Sequence, residues 1–281
     1  MTNYSHDRIV PFKDSELGKK QQIAEMFDKI AFRYDFLNRF LSGGIDVYWR
    51  KRAIRALRGL LAGTAVQLPA VGAGAEGGAV QLPAEDAGAE GGAVLDVATG
   101  TGDMAILLAR RFPQARITGV DISEGMLEVG RQKLARLKLD SRITLRSGDS
   151  EALPFSDNQF DAITVAFGVR NFENLETGLR EMRRVLKPGG KLVVLEFSQP
   201  RIPVICRLYR AYMRRIAPRI AGIAASNREA YQYLNDSVQA FPEGPRLIHI
   251  LEECGYAHTR LRRLSLGICS LYTGEKVSDR N

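Results

Sequence analysis

Apolar and polar residues follow a recurring pattern through the second two-thirds of the chain. From residue 94 onward, short apolar segments alternate with amphipathic helical patterns. This alternation predicts an α/β domain with a doubly wound, mostly parallel sheet. Residues 257–273 lack a helical period and indicate two further strands that join near residues 265–267. The first five predicted strands cover residues 94–97, 117–120, 143–146, 162–167 and 191–196.

The chain before the first strand has a different pattern. Residues 15–61 carry apolar side chains at helical spacings, with a break near residues 42–44, and predict helices that cap the sheet. Residues 65–92 hold two nearly identical 14-residue copies rich in Gly and Ala, too few to build a solenoid, so we expect a disordered surface insert. The predicted organisation is a helical cap at 1–62, the insert at 63–93, and a core at 94–281 that includes a helical insertion at 201–245.

The charge of the chain suggests an anionic partner. Its formal net charge is +8 over 281 residues, which suits nucleic acid or an anionic membrane. Part of this charge lies in residues 203–218, where apolar residues recur at helical spacings and Arg207, Arg210 and Arg214 mark another face. Two interpretations stay open: a basic amphipathic helix on a lipid surface, or a core-facing helix with a solvated arginine face.

The cysteine spacing and the hydropathy of the sequence argue against a metalloprotein, a membrane-spanning protein and a secreted protein. The three cysteines have no metal-ligand or CxxC spacing, and the sequence offers no convincing metal site. No run approaches the roughly eighteen apolar residues of a membrane span, and the polar start is unlike a signal peptide. We therefore expect a cytoplasmic protein.

The segment VLDVATGTGD at residues 94–103 predicts a ligand-binding turn between a strand and a helix. Gly100 and Gly102 allow a tight turn and a close approach of a ligand to the backbone. A helix that opens near Asp103 and runs to Arg111 leaves free N–H groups at its start. The turn therefore favours a nucleotide-type cofactor.

The acidic residue that follows the second strand supports this interpretation. Asp121 lies some twenty residues beyond the glycines, where a carboxylate can accept both hydroxyls of a ribose. Dinucleotide-binding folds use the same parts, and Gly100, Gly102 and Ala105 satisfy the loose GxGxxA fingerprint. The glycines alone thus leave a nicotinamide-dependent oxidoreductase open.

Three carboxylates favour S-adenosyl-L-methionine over a dinucleotide. Asp96 sits just before the glycines, where it can fix the loop through its N–H groups or help hold the methionine ammonium. Asp96 and Asp103 together would repel a pyrophosphate. Asp149 follows the third strand and can accept a hydrogen bond from the adenine amino group.

Several segments together closely resemble one family of enzymes. They cover nearly the whole chain outside the insert and are similar to the ubiquinone/menaquinone biosynthesis C-methyltransferases, which are class I S-adenosyl-L-methionine-dependent methyltransferases. The resemblance implies a Rossmann-like, seven-stranded fold with an antiparallel C-terminal edge. The segments are MFDKIAFRYDFLNRFLSGGIDVYWR at 26–50, VLDVATGTGD at 94–103, EALPFSDNQFD at 151–161, FGVRN at 167–171, LEFSQP at 195–200 and AYQYLNDSVQAFP at 230–242.

The resemblance also implies where the cofactor lies. It places S-adenosyl-L-methionine against Thr101 in the glycine loop, Asp121, and Asp149 with Ser150. Ala166 occupies a position where relatives often have serine, so a hydroxyl contact is absent there. The full predicted cofactor-binding set is Asp96, Gly100, Thr101, Gly102, Asp121, Asp149 and Ser150.

The implied reaction is C-methylation of a polyprenylated quinol, most directly demethylmenaquinol to menaquinol. Such an in-line transfer needs alignment and an electron-rich ring carbon rather than a metal. We assign Arg170 to stabilise the developing quinolate, directly or through water, and Asn171 to orient that water or the ring oxygen. Tyr231 or Tyr233 is expected to close the site.

The acceptor pocket and the partners are expectations of the same resemblance. In the N-terminal helices, Tyr34, Asp35 and Asn38 are candidates for the pocket wall. We expect a quinol substrate and contact with an anionic membrane at its cytoplasmic face, without nucleic acid, and we leave homo-oligomerisation open. Methylation of the ubiquinone-pathway benzoquinol or another lipophilic phenol is the main alternative, and RNA binding is a weaker one.

Overall fold

The computed structural model of the protein describes residues 4–61, 91–204, 206–207 and 228–278. Within helices, the side chains of residues 37, 38, 40, 41 and 228–231 lie outside this description. The described helices are α1 (Lys19–Leu41), α2 (Ile45–Arg55), α3 (Arg58–Leu61), α4 (Asp103–Arg111), α5 (Glu124–Leu137), α6 (Leu175–Val185), α7 (Arg228–Ala240) and α8 (Pro245–Glu253). The strands are β1 (Ala93–Val97), β2 (Arg116–Asp121), β3 (Ile143–Ser147), β4 (Phe160–Ala166), β5 (Leu186–Phe197), β6 (Ala257–Leu264) and β7 (Cys269–Glu275).

The seven strands form one sheet in the order β3-β2-β1-β4-β5-β7-β6. The first five strands pair in parallel, whereas β7 runs antiparallel to both β5 and β6. A short 3-10 turn, Ser265–Gly267, precedes β7 where the sequence predicted a junction. The doubly wound sheet and its antiparallel C-terminal edge are thus confirmed.

Both faces of the sheet are covered by helices. Along each central strand, successive apolar residues enter different cores, because side chains alternate between the two faces of a strand. Val94 packs with residues of α2, α4 and α5, and Leu95 packs with residues of α6 and α8. Burial on both faces explains why these strands read as continuous apolar runs.

The start of β5 differs from the sequence prediction. Lys187 to Gly190 were expected to stop a helix ahead of a strand at 191–196, but α6 ends at Val185 and β5 begins at Leu186. The register between β4 and β5 shifts between Phe160 and Ala162, so residues 187–190 form an irregularity within the strand. Gly189 adopts the left-handed φ of +79° there, a conformation that favours glycine.

The predicted N-terminal helices are present. Helix α1 ends at Leu41 and α2 begins at Ile45, which matches the break expected near 42–44. Helix α1 packs against α5, and Ile23 and Met26 on its buried side form a small core with Tyr233 of α7. Helix α1 lies over the carboxyl ends of the parallel strands, whereas α2 packs on one face of the sheet.

Two sequence predictions concern residues outside the described part of the chain. The predicted insert lies almost entirely outside the description, because residues 62–90 are not described. Most of the predicted helix at 203–218 also lies outside it. Across the described ranges, no helix is long and apolar enough to cross a membrane.

Candidate active site

The glycine loop links β1 to α4 and bends sharply. Gly100 has a φ of +57° and Gly102 a φ of +81°, in the left-handed region that glycine adopts at little cost. The N–H of Thr99 donates to the carbonyl of Val120 at 3.0 Å, which ties the loop to the end of β2. A Cβ at Gly100 would meet only the ring of Tyr34, at 3.9 Å, so the glycine keeps a space open.

Asp96 lies beneath this loop. Its carboxylate accepts hydrogen bonds at 2.6 Å from the hydroxyls of both Thr99 and Thr164. Burial raises its pKa to about 6, although the two hydroxyls partly offset this effect. Asp96 therefore fixes the loop through the Thr99 hydroxyl rather than through loop N–H groups as expected, and its role as a cofactor ligand stays a prediction.

Asp121 stands at the carboxyl end of β2 and faces the glycine loop. Its carboxylate accepts the N–H of Gly100 at 2.8 Å and the N–H of Ser123 at 3.0 Å. Desolvation raises its pKa, and the backbone N–H groups counteract this shift. Each oxygen keeps a lone pair that can accept a further hydroxyl.

A cavity opens between these strand ends and helix α1. Its volume is about 670 Å³, including the part open to solvent. Of the predicted cofactor-binding residues, the cavity is lined by Gly100, Asp121, Asp149 and Ser150, with Ala166 and Asn171 from the end of β4 and the turn beyond it. The structure thus brings four predicted residues from three strand ends to one space.

Lys20 of α1 contacts the third strand end. Its ammonium lies 2.7 Å from Oδ2 of Asp149 and 3.0 Å from a carboxylate oxygen of Glu151. Desolvation alone would lower its pKa, but the hydrogen bonds to both carboxylates raise it. The sequence analysis missed Lys20, because its partner lies more than a hundred residues away and no local pattern marks the pair.

Two acidic residues of α1 accept hydrogen bonds from residues that follow β2 and β1. Asp28 accepts a hydrogen bond from the hydroxyl of Ser123, after β2, at 2.5 Å. Asp35 accepts one from the hydroxyl of Thr101, after β1, at 2.5 Å, and Lys133 of α5 lies 2.5 Å from its other oxygen. Helix α1 therefore crosses the ends of β3, β2 and β1 in turn and closes the cavity on one side.

Thr101 faces away from the cavity lining in this arrangement. It is buried, and its hydroxyl joins Asp35, while Lys133 donates to it at 3.0 Å. Gly102 likewise caps α4 without lining the cavity. Cofactor contact by these two residues stays a prediction. Among the pocket-wall candidates, Tyr34 lines the cavity, and the side chain of Asn38 lies outside the description.

Asn171 and Tyr233 meet at the far end of the cavity. The Tyr233 hydroxyl donates to Oδ1 of Asn171 at 3.1 Å, although the two residues are 62 positions apart. Burial raises the pKa of Tyr233, so its hydroxyl stays protonated and donates. The side chain of Tyr231 lies outside the description.

Arg170 is held inside the protein rather than at the cavity wall. It is 4% exposed, and its guanidinium donates to a Glu196 oxygen at 2.8 Å and to the carbonyl of Phe167. Glu196 is fully buried, and desolvation raises its pKa against the opposing charge of Arg170. This geometry favours Arg170 as a residue that positions Phe167 and Asn171, in place of direct contact with a substrate.

Within the described residues, no group of three or more His, Cys, Asp and Glu side chains is arranged to hold a metal ion. Cys254 and Cys269 are buried thiols, and burial raises the pKa of both. The cavity instead offers carboxylates and backbone groups, which suit hydrogen bonds to a sugar and a base.

Comparison with known proteins agrees with this chemistry. Residues 15–276 match the model of the ubiE/COQ5 methyltransferase family. A demethylmenaquinone methyltransferase of Bacteroides fragilis is 39% identical over 98% of this chain and 100% of its own length. A ubiquinone/menaquinone biosynthesis C-methyltransferase of Geobacter sulfurreducens is 43% identical over 96% of this chain and 93% of its own length.

Solved structures agree on the fold alone. A SAM-dependent methyltransferase of Thermotoga maritima superposes with a TM-score of 0.55 at 17% identity, covering 90% of this chain and 98% of its own. A chain from Methanococcus maripaludis gives a TM-score of 0.53 at 17% identity, covering 96% and 99%. Both matches extend over nearly the whole molecule.

Proposed function

We propose, from the premise that this chain belongs to the ubiE/COQ5 methyltransferase family, that it methylates demethylmenaquinol at a ring carbon to give menaquinol. Family membership makes the chain an S-adenosyl-L-methionine-dependent C-methyltransferase of quinone biosynthesis. Its fold is that of the class I methyltransferases. The acceptor, the residue roles and the place of action are the subject of the proposal.

One observation carries the proposal most directly. The carboxylates of Asp121 and Asp149 border the same cavity at the ends of adjacent strands, β2 and β3. Ligands of open α/β sheets bind outside the carboxyl ends of the strands. Asp121 would accept the ribose hydroxyls of the donor and Asp149 its adenine amino group, with Lys20 holding the Asp149 carboxylate in place.

The donor supplies an electrophilic methyl group on a positively charged sulfur. The protein's task is to hold the acceptor carbon in line with that methyl group and to exclude water. Phe27 of α1 and Phe172, just beyond the turn after β4, line the cavity and offer an apolar surface for a flat ring. During transfer the ring carbon forms a bond to the methyl carbon as the carbon–sulfur bond breaks, and the ring then loses a proton to water.

Asn171 and Tyr233 would serve the acceptor side. Asn171 lines the cavity, and Tyr233 fixes its amide by donating to Oδ1. The free amide N–H groups of Asn171 can then donate to a quinolate oxygen, directly or through water. Arg170 supports this arrangement from behind through Glu196.

The organisation and location of the protein belong to the same proposal. The cap at 1–62 would shape the pocket over a core at 94–281, and residues 201–245 would face the acceptor. A prenylated quinol partitions into lipid, so we place the enzyme at the cytoplasmic face of an anionic membrane. The net charge of +8 supports this placement.

The test is a methylation assay with two acceptors. The enzyme is incubated with S-adenosyl-L-methionine labelled in the methyl group and with either demethylmenaquinol or the demethylated benzoquinol, and the lipid product is identified by mass spectrometry. We expect label on the ring carbon of the naphthoquinol. Label on the benzoquinol alone would assign the enzyme to the ubiquinone branch, and label on neither would refute a quinol acceptor.

A further inference from the structure

Helix α1 has two chemically different faces. One face lines the cavity, through Lys20, Ile23, Phe27 and Tyr34. The opposite face follows a spacing of three and four residues and turns to solvent, with Phe32 at 92% and Phe36 at 61% exposure. Both aromatic side chains are therefore exposed on a helix whose other side forms the cavity wall.

Helix α2 continues this surface beyond the turn that follows α1. Ile45 is 45% exposed and Tyr48 is 48% exposed. Lys51 and Arg55 lie further along the exposed side of the same helix, at helical spacing from Tyr48. The outer side of α2 is therefore apolar where it begins and basic where it ends.

A strongly basic groove adjoins these residues. It runs between α2 and α4, and its lining contains seven basic side chains against two acidic ones. The acids are already engaged, since Asp46 pairs with Arg50, and Asp103 pairs with both Lys133 and Arg39. The surplus of positive charge rests on Lys51, Arg55, Arg58, Arg110 and Arg111.

Arg39 joins the groove to the aromatic face. It stands three residues after Phe36 on the same side of α1, and it also lines the groove. We use the name α1–α2 face for Phe32, Phe36, Ile45 and Tyr48 together with this groove. Exposed aromatic and aliphatic side chains beside a cluster of cations have the composition of a surface that lies on anionic lipid.

We propose that the α1–α2 face docks the protein on an anionic lipid bilayer. The apolar side chains enter the boundary between headgroups and acyl chains, and the basic groove contacts lipid phosphates. Charge complementarity selects this partner, because a neutral apolar partner would leave the groove's surplus charge without a counterpart.

The docked orientation has a consequence for substrate delivery, which rests on the proposed function. Since α1 separates the docking face from the cavity, the cavity would lie about one helix diameter, roughly 10 Å, above the membrane surface. A quinol ring could reach the cavity while its prenyl tail stays in lipid. Helix α1 would thus serve as cavity wall and membrane contact at once.

Vesicle partition tests the surface without any turnover. Wild-type protein and single variants are sedimented with vesicles of phosphatidylcholine alone or mixed with phosphatidylglycerol. Phe32→Ser and Lys51→Glu should each lower partition onto the mixed vesicles about tenfold. Leu137→Ser and Arg136→Glu, which change an exposed leucine and an exposed arginine on α5, are the matched controls and should bind as wild type does.

Three results would overturn the docking surface. In the first, the wild-type protein does not bind the mixed vesicles. In the second, the Phe32→Ser and Lys51→Glu variants bind these vesicles as wild type does. In the third, the variants change self-association of the protein in solution and leave vesicle binding unchanged. The last result would make the face a contact between copies of the chain. Unchanged melting temperatures of the variants, expected because both residues are exposed, exclude a folding defect.

Activity measurements separate this proposal from the proposed function. With a long-tailed quinol in mixed vesicles, the Phe32→Ser and Lys51→Glu rates should fall in parallel with partition. With a short-tailed quinol in solution, they should equal the wild-type rate, since neither residue lines the cavity. Vesicle binding that depends on Phe32 and Lys51 supports the proposed docking surface even if the enzyme methylates no quinol. Absence of methylation would count only against the proposed quinol acceptor.

Discussion

The carboxylate of Asp121 accepts a hydrogen bond from the backbone N–H of Gly100 at 2.8 Å. This contact joins the ends of the adjacent strands β1 and β2 at the point where the cavity opens. Because the carboxylate is fixed by backbone groups before any ligand binds, little reorganisation is needed to receive a sugar. The glycine and the acid therefore act as one unit, and each can be tested separately.

Gly100→Ala should weaken cofactor binding about tenfold. The new methyl group would lie in the space between the loop and Tyr34, and the left-handed φ of +57° adds strain of roughly 1 kcal/mol. Gly43→Ala is the matched control, because Gly43 has a φ of +59° and open space around it. Calorimetric titration with S-adenosyl-L-methionine should find weaker binding only for Gly100→Ala, and equal affinity in both variants would remove Gly100 from the site.

Tyr233→Phe should lower kcat about tenfold while leaving cofactor affinity unchanged, because it releases the amide of Asn171. Tyr256→Phe is the control. Tyr256 is also 3% exposed and donates a hydrogen bond, but to the carbonyl of Leu179. Steady-state kinetics with the quinol acceptor measure kcat for both variants. Equal kcat values in the two variants would show that Tyr233 supports the fold alone.

Removal of Arg170 should destabilise the protein more than it damages the chemistry. Arg170→Ala leaves the fully buried Glu196 without its partner, which costs about 3–5 kcal/mol. The double variant Arg170→Met with Glu196→Gln should recover most of that stability and retain kcat within about tenfold. Stability is measured by urea unfolding. A stable double variant that has lost turnover entirely would instead assign Arg170 to the quinolate.

Asp96 should make the protein less stable as the pH rises. Its pKa is raised to about 6 in the folded protein from 3.8, so the folded state binds the proton more tightly, and stability is lost as the pH rises between these values. Asp96→Asn should therefore gain up to about 3 kcal/mol relative to wild type at pH 7.5, and lose that advantage below pH 4. Urea unfolding at several pH values measures the difference.

The same variant tests the place of Asp96 in the site. Because both carboxylate oxygens accept threonine hydroxyls, Asp96→Asn should keep its affinity for S-adenosyl-L-methionine within about threefold. A loss of affinity well beyond this range would restore Asp96 as a ligand of the methionine ammonium. A flat difference in stability across pH would contradict the raised pKa.

The alternation of apolar and polar residues was enough to predict most of the fold. Helix α4 begins at Asp103 and ends at Arg111 as predicted. Both of its ends are marked by neighbouring segments of the sequence, a glycine loop before the helix and a strand after it. The start of β5 was predicted wrongly at residues 187–190. Pro188 and two glycines are typical of a helix stop, and the strand continues across this segment only because Leu186 and Lys191, on either side of it, both pair with β4.

Site residues could be predicted from the sequence where an acidic side chain lies at the end of a predicted strand. Asp121 is the last residue of β2, Asp149 comes shortly after β3, and both line the cavity. Contacts between distant segments were not predictable, and they decide where side chains point. Thr101 joins Asp35 across 66 positions, and Arg170 joins Glu196 from a neighbouring strand end, so neither faces the cavity as its motif suggested.

Titration of the donor into wild-type protein and Asp121→Asn tests the central claim most directly. We expect heat of binding with S-adenosyl-L-methionine and with S-adenosylhomocysteine, a loss of affinity of at least about tenfold in Asp121→Asn, and wild-type affinity in the control Asp140→Asn, a change at an exposed residue. NADH should give no heat. Binding of NADH without binding of either sulfur ligand, or an Asp121→Asn variant with full affinity, would contradict the account.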